Sequence, residues 1–342
     1  MERPFWNGGT LMCDESLLFI RESPGELPAA ASLFRPNKIV AMRDPINDID
    51  FRKGRDFIQE AGSRRLLLPP GSPIRFLNRH ALYRAHGAKH SIAHLAGHPL
   101  TSLLYYRRTG FLRLQPEITY RFDNDWRGCR PFCQNDRLPK TMNKLRNRHL
   151  LRLSISGDSI TAGWNATGHM HLPPYRPAWP EQAVELLRQH FHCEIVLSNL
   201  SVGGWSSRNG LEDVPRLAAS RPDLVLIHYG GNDLHHRDPG LFAKNIRQLM
   251  TFLPEAEFIL VSPMTFNPDW SHTPVDMLPL YREALLRLAT ETGSVFLDMT
   301  TLWQEVSVRK GWLSLTGNGV NHPNDFGHQL YAQYLLDTLI AA

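Results

Sequence analysis

A doubly wound α/β domain preceded by a β-rich module is the fold class this chain predicts, and three observations carry it. The C-terminal part alternates short, almost wholly apolar runs with segments of helical periodicity. The N-terminal part shows only short apolar runs broken by Pro, Gly and charge. Between them a basic, helix-friendly segment, 138–148, marks the change of pattern. The expected domains are therefore 1–147, β-rich, and 148–342, α/β.

In the C-terminal part the strand runs are 150–155, 194–197, 224–228, 258–261 and 295–297, each apolar in the manner of strands covered on both faces. A parallel sheet flanked by helices follows. Pro180 suits the first turn of a helix that buries Ala183, Val184, Leu187 and Phe191. Asp238-Pro239 opens a second, with Phe242, Ile246, Leu249 and Leu253 on one stripe, and Tyr281, Ala284, Leu285 and Leu288 mark a third. The last carries Phe326, Leu330, Tyr331, Tyr334, Leu335 and Leu339, with Asn324 or Asp325 as N-cap.

In the N-terminal part, runs 17–20, 38–41, 66–68, 103–106 and 118–122 read as strands. Turn punctuation such as Pro69-Pro70-Gly71 and Arg108-Thr109-Gly110 predicts a sandwich or jelly roll.

Composition narrows the function classes. With 342 residues, 42% hydrophobic and 21% charged, the chain can bury a large core and shows no disordered tract. Its charge of +5 is spread out. The one basic cluster, Lys140, Lys144, Arg146 and Arg148, lacks interleaved aromatics and reads as a solvated linker face, so no nucleic-acid partner is expected. No stretch is apolar enough to span a bilayer. Met1 to Trp6 do not open a secretory signal, so the chain as written is expected in the cytoplasm, with secretion left open had a leader been removed. Four scattered cysteines give neither a disulfide framework nor a zinc site. The sequence leaves homo-oligomerisation open.

Ligands of such sheets bind beyond the carboxyl ends of the strands, and three of those ends are unusual. The first is Ser156-Gly157-Asp158-Ser159-Ile160-Thr161, a small-residue turn that lifts a serine hydroxyl and sets its N–H at the start of the next helix. The second, Ser201-Val202-Gly203-Gly204-Trp205, lets a glycine N–H approach substrate. Tyr229-Gly230-Gly231-Asn232-Asp233 offers an amide side chain, and Asn321-His322-Pro323-Asn324 places a histidine before the last helix. A nucleophile, hydrogen-bond donors and a base are present together.

These four segments, in this order, resemble the blocks of the SGNH/GDSL hydrolase superfamily over about residues 150–342. The resemblance implies Ser159 as nucleophile and His322 as general base. The Ser159 N–H, the Gly204 N–H and the Asn232 amide would form the oxyanion hole, and no metal or organic cofactor is needed. The family's aspartate three residues before the histidine is replaced here by Gly319. The imidazole is then expected to be oriented by a backbone carbonyl of the turn around Gly319, by Asn318, or by Asp298, leaving a Ser159/His322 dyad.

Other residues receive plainer readings. Asp158, Asp233 and Asp325 read as turn or cap residues, His328 as a packing or surface histidine, and His169 and His171 as loop residues near the site. His235 and His236 have no special role. Trp164, Tyr175, Trp205 and Trp270 fall in loops that wall a pocket or meet the N-terminal module. The resemblance extends to superfamily members that join a β-sandwich to the catalytic domain, among them carbohydrate deacetylases. It implies cleavage of short-chain, first of all acetyl, esters of a small-molecule or carbohydrate substrate. The rivals are a longer-chain lipase or thioesterase, and a non-catalytic carbohydrate-binding derivative.

Overall fold

The computed structural model describes residues 3–95 and 98–340, with side chains described outside 93–100. In its C-terminal half five strands form one parallel sheet: first Leu151–Gly157, second Ile195–Asn199, third Leu224–His228, fourth Glu257–Val261 and fifth Val295–Leu297. Their spatial order is second, first, third, fourth, fifth. Every residue of the third strand is buried, which is why its run is unbroken Leu-Val-Leu-Ile before His228.

That order decides where the helices go. The first crossover, through Trp179–Phe191, leads outward to the second strand, and all later crossovers lead the opposite way. Right-handed crossovers therefore put Trp179–Phe191 on one face of the sheet and the later connecting helices on the other. Packing agrees: Trp179–Phe191 lies against the last helix, Asp325–Leu339, while Pro239–Thr251 lies against Ser207–Glu212 and Leu278–Thr292. Capping follows the sequence, with Asp238 accepting from Leu241 N and Asn324 from Gly327 N. Helices Ser207–Glu212, Val214–Ala219 and Met299–Lys310 were not expected from periodicity.

The N-terminal half is β-rich. An antiparallel sheet runs Leu11–Ser16, Glu117–Phe122, Pro36–Asp44, Ile49–Asp50. A second sheet is built on Arg65–Leu67, Ala29–Ala31 and Ile20–Arg21, and a third on Ser91–Leu95, His98–Leu104 and Tyr83–Ala85. The apolar run 17–20 is mostly not a strand. Leu17, Leu18 and Phe19 are buried where the chain passes from one sheet to another, so burial rather than pairing explains their character.

The halves share a core. Phe5, Trp6, Phe34 and Tyr120 join one apolar cluster with Leu151, Trp303, Tyr331 and Leu339. A smaller cluster sets Leu18, Leu104 and Phe111 against Leu313. Polar ties run the same way: Trp6 Nε1 donates to Asp337 at 2.6 Å. The fully buried Lys310 ammonium lies 3.2 Å from the equally buried Glu15 carboxylate, which also accepts from Tyr120 Oη and Leu33 N. A buried ion pair so fully hydrogen-bonded is the form in which such a pair is tolerated.

Candidate active site

Winding reverses between the first and third strands, and the crevice at their carboxyl ends is the place where open α/β sheets bind ligands. Gly157 ends the first strand so close to the third that a Cβ there would sit 2.9 Å from the His228 carbonyl oxygen. Asp158, buried next to it, accepts from Ile160 N with Oδ1 at 2.9 Å and from Ala162 N with its carbonyl. Burial pushes its carboxyl up to about 7. It builds the turn, as expected.

Ser159 follows, half-exposed at the sheet's top. The expected helix after it does not form. Residues 159–165 are a string of turns, because Gly163 and Asn165 take left-handed backbone angles, φ +96° and +66°, that stop a helix from propagating. The next helix begins only at Trp179.

His322 Nε2 lies 2.9 Å from Ser159 Oγ. The histidine is held in a tight loop closed by Gly317 N donating to the His322 carbonyl and by a bridge between Thr316 and Pro323. Asn318 Oδ1 accepts from the backbone N–H groups of Val320, Asn321 and His322 at 2.9, 3.0 and 3.3 Å. Burial lowers the His322 pKa to about 3, reinforced by the charges of His328 and His169, so the imidazole is neutral at working pH.

Of the three orienting groups expected, two are elsewhere. Asp298 caps Met299–Lys310, accepting from Thr301 N, and pairs with Arg282. The unpaired N–H groups and dipole of that helix start claim the carboxylate. The Gly319 carbonyl accepts from Asn267 Nδ2. Asn318 is beside the ring, 3.1 Å from Nδ1, but through its Nδ2, its oxygen being spent on backbone. The acceptor at Nδ1 is Asn165 Oδ1, at 2.9 Å, a residue the sequence reading passed over.

The expected oxyanion donors are gathered by neighbouring turns. A Cβ on Gly203 would sit 3.7 Å from Ser159 Cβ, and one on Gly231 would sit 3.3 Å from Asp158 Oδ2. Gly204 has φ +82°, which favours glycine. Among the described residues, neither Ser159 N–H nor Gly204 N–H donates to a backbone carbonyl in these loops. Asn232 Nδ2 gives one hydrogen to the Trp205 carbonyl at 2.9 Å and retains a second.

Around them, the Trp164 ring is 5.8 Å from that of His322 and 6.0 Å from that of His169. Tyr175 is 62% exposed in the same loop. Trp270 instead lies tilted against His272, 5.0 Å between ring centroids, and His272 stacks on His235 in a separate group. His328 is buried, not superficial: Nδ1 accepts from Trp179 N and Nε2 donates to the Trp164 carbonyl, each at 3.3 Å. Arg176 was missed as well. It pairs with Glu117 and Asp14 of the N-terminal strands, while its N–H donates to Thr167 Oγ1, and Thr167 in turn donates to Asp325. Its signal in sequence was only an arginine in a proline-rich loop. Among the described residues no group of three or more His, Cys, Asp or Glu side chains gathers to hold a metal ion.

The model of the GDSL-like lipase/acylhydrolase family matches residues 155–330, more than half of the chain. The chain belongs to that family. All four sequence blocks lie within the matched stretch. An arylesterase of Vibrio mimicus is 29% identical over 107 residues, covering 31% of this chain and 50% of the relative, so the match spans about half of that protein's length. Among solved structures, an acetylxylan esterase from Geobacillus stearothermophilus is similar with a TM-score of 0.47 and 22% identity, covering 56% of this chain and 95% of that one. A two-domain esterase active on acetylated mannans gives 0.48 and 22%, covering 61% and 54%. A lipase/acylhydrolase from Enterococcus faecalis gives 0.46 and 17%, covering 54% and 93%. No helix among the described residues is long and apolar enough to cross a membrane.

Proposed function

We propose that the protein is a serine esterase that removes short acyl groups, acetyl first, from carbohydrate or other small hydroxylic substrates. The observation that carries the reading is the 2.9 Å contact of Ser159 Oγ with Nε2 of a buried, neutral histidine at the switch point of the sheet. Ser159 Oγ attacks the ester carbonyl carbon as its proton passes to His322 Nε2. The negative charge that develops on the carbonyl oxygen is met by the Ser159 and Gly204 N–H groups and the free hydrogen of the Asn232 amide. Collapse breaks the bond to the leaving alcohol, which takes the proton from His322. Water, deprotonated by the same nitrogen, then releases the acyl group and restores Ser159.

Family membership and the arylesterase relative support the ester as substrate. The flat ring of Trp164 beside the histidine, with the exposed Tyr175 in the same loop, supports a sugar as its carrier. A longer acyl chain is the second reading. It is favoured by an apolar cavity of about 410 Å³ lined by Leu234, Phe266, Val275 and Leu278, whose Phe266 ring abuts Gly231.

The test compares p-nitrophenyl acetate with p-nitrophenyl octanoate, using the wild type and Ser159→Ala. The expected result is preferential acetate cleavage that Ser159→Ala abolishes. Faster octanoate cleavage would favour the longer-chain reading, and equal rates from both proteins would remove Ser159 as nucleophile.

A further inference from the structure

The position at which this family usually supplies an aspartate is occupied by Gly319, and the structure shows why no acid stands there. Gly319 has φ +88°, and a Cβ on it would lie 2.9 Å from the Leu104 carbonyl oxygen and 3.1 Å from the Phe111 ring. Both belong to the N-terminal half, whose Tyr106 N also donates to the Asn318 carbonyl at 3.1 Å. The segment 104–111 therefore fills the space an acid would need.

The same segment prepares a substitute. Asn165 is fully buried, and its Nδ2 donates to two carbonyls, Arg108 at 3.1 Å and Gly317 at 3.2 Å. Two acceptors on one side fix which end of the amide is nitrogen, so Oδ1 must face His322. An oxygen at 2.9 Å that can only accept requires the ring to carry its proton on Nδ1. Nε2 is then a lone pair aimed at Ser159 Oγ, the form a general base needs. Asn318 Nδ2 favours the opposite tautomer, but it already donates to Asn321 Oδ1 at 2.9 Å and does not depend on the ring.

We propose that Asn165 is the positioning residue that holds His322 in its base-competent tautomer, and that the N-terminal half takes part in the reaction by fixing the Asn165 amide through the Arg108 carbonyl. This rests on the esterase reading for its effect on rate, though not for its effect on the ring. The choice of amide over acid has a local cause. An ionised aspartate at 165 would turn one anionic oxygen toward the Arg108 and Gly317 carbonyls, where only a donor is welcome.

The experiment uses the full chain, with Asn165→Gly, which keeps the left-handed backbone without strain, and Asn165→Asp. Long-range ¹H–¹⁵N correlation of the histidine rings at pH 8, with the His322 signals identified by their loss in His322→Gln, reads the tautomer. Kinetics on p-nitrophenyl acetate read kcat and KM. In the wild type the His322 ring is expected to be protonated on Nδ1. In Asn165→Gly it should shift toward Nε2–H, with kcat lowered by about 10- to 10³-fold and KM changed by less than about 3-fold. Asn165→Asp should not exceed the wild-type kcat. A ring still protonated on Nδ1 in Asn165→Gly, or an unchanged kcat there, overturns the positioning role, and an Asn165→Asp enzyme several-fold faster overturns the preference for an amide. If Ser159→Ala is as active as wild type, the esterase reading falls while the ring spectrum still decides the proposal.

Discussion

The two sides of the Ser159–His322 contact are built differently. The Ser159 side is local: the strand end, the Asp158 turn and the Gly204 and Asn232 turns all come from the C-terminal sheet. The His322 side is assembled from distant pieces, with Asn165 facing the ring, the Arg108 carbonyl behind Asn165, and Leu104 and Phe111 packed on Gly319. The contrast teaches that the serine proposed as nucleophile is presented by one turn, whereas the histidine proposed as its base, with the family aspartate missing, is contacted by residues from another part of the chain.

Perturbing each side should separate them. The largest effect is expected where the halves are tied. Lys310→Met leaves the Glu15 carboxylate buried without its counter-charge and should cost about 3–5 kcal/mol of stability, read from urea unfolding. A cost below about 1 kcal/mol would mean the tie is unimportant. On the serine side, Asn232→Ala should lower kcat by about 10²–10³-fold while moving the urea midpoint little. A comparable loss of stability would show that this turn, too, depends on distant support.

On the histidine side, Gly319→Asp should fail to restore a faster enzyme. The left-handed backbone and the Leu104 carbonyl should instead cost about 2 kcal/mol or more. A more active Gly319→Asp would break the comparison outright. The subtlest effect concerns pH. With the free-enzyme pKa of His322 lowered to about 3, the base stays unprotonated as pH falls past the ordinary histidine value. The acid limb of kcat/KM on p-nitrophenyl acetate is therefore expected below pH 5, and a limb centred near 6.5 would show the ring open to water.

Legibility in the sequence divides along the same line. The five strands of the parallel sheet were readable to within about two residues: the first, third, fourth and fifth are buried almost throughout, which leaves near-continuous apolar runs, and the second keeps an apolar Ile-Val-Leu although Val196 is exposed at the sheet's edge. The turns that carry Ser159, Gly204, Asn232 and His322 were readable because they fall at fixed places relative to those strands and the last helix. Met299–Lys310 was not, since its first turn is Met-Thr-Thr and its Asp298 cap passes for a free acid. Asn165 was invisible for a deeper reason. An asparagine after Gly-Trp looks like any turn residue, and its significance rests on a partner 157 residues away. Gly319 could be seen as a departure, but what occupies the space of the missing acid belongs to the other half.

The bond from Trp6 to Asp337 fastens together residues 331 positions apart. On a ribosome adding about 5–20 residues per second, Trp6 must wait some tens of seconds before its partner exists. The two aromatic residues Phe5 and Trp6, destined for the core, spend that interval with nothing to pack against from the last helix. This part of the core is thus completed only once the last helix has been made, and until then Trp6 lacks both the Tyr334 ring and the Asp337 carboxylate.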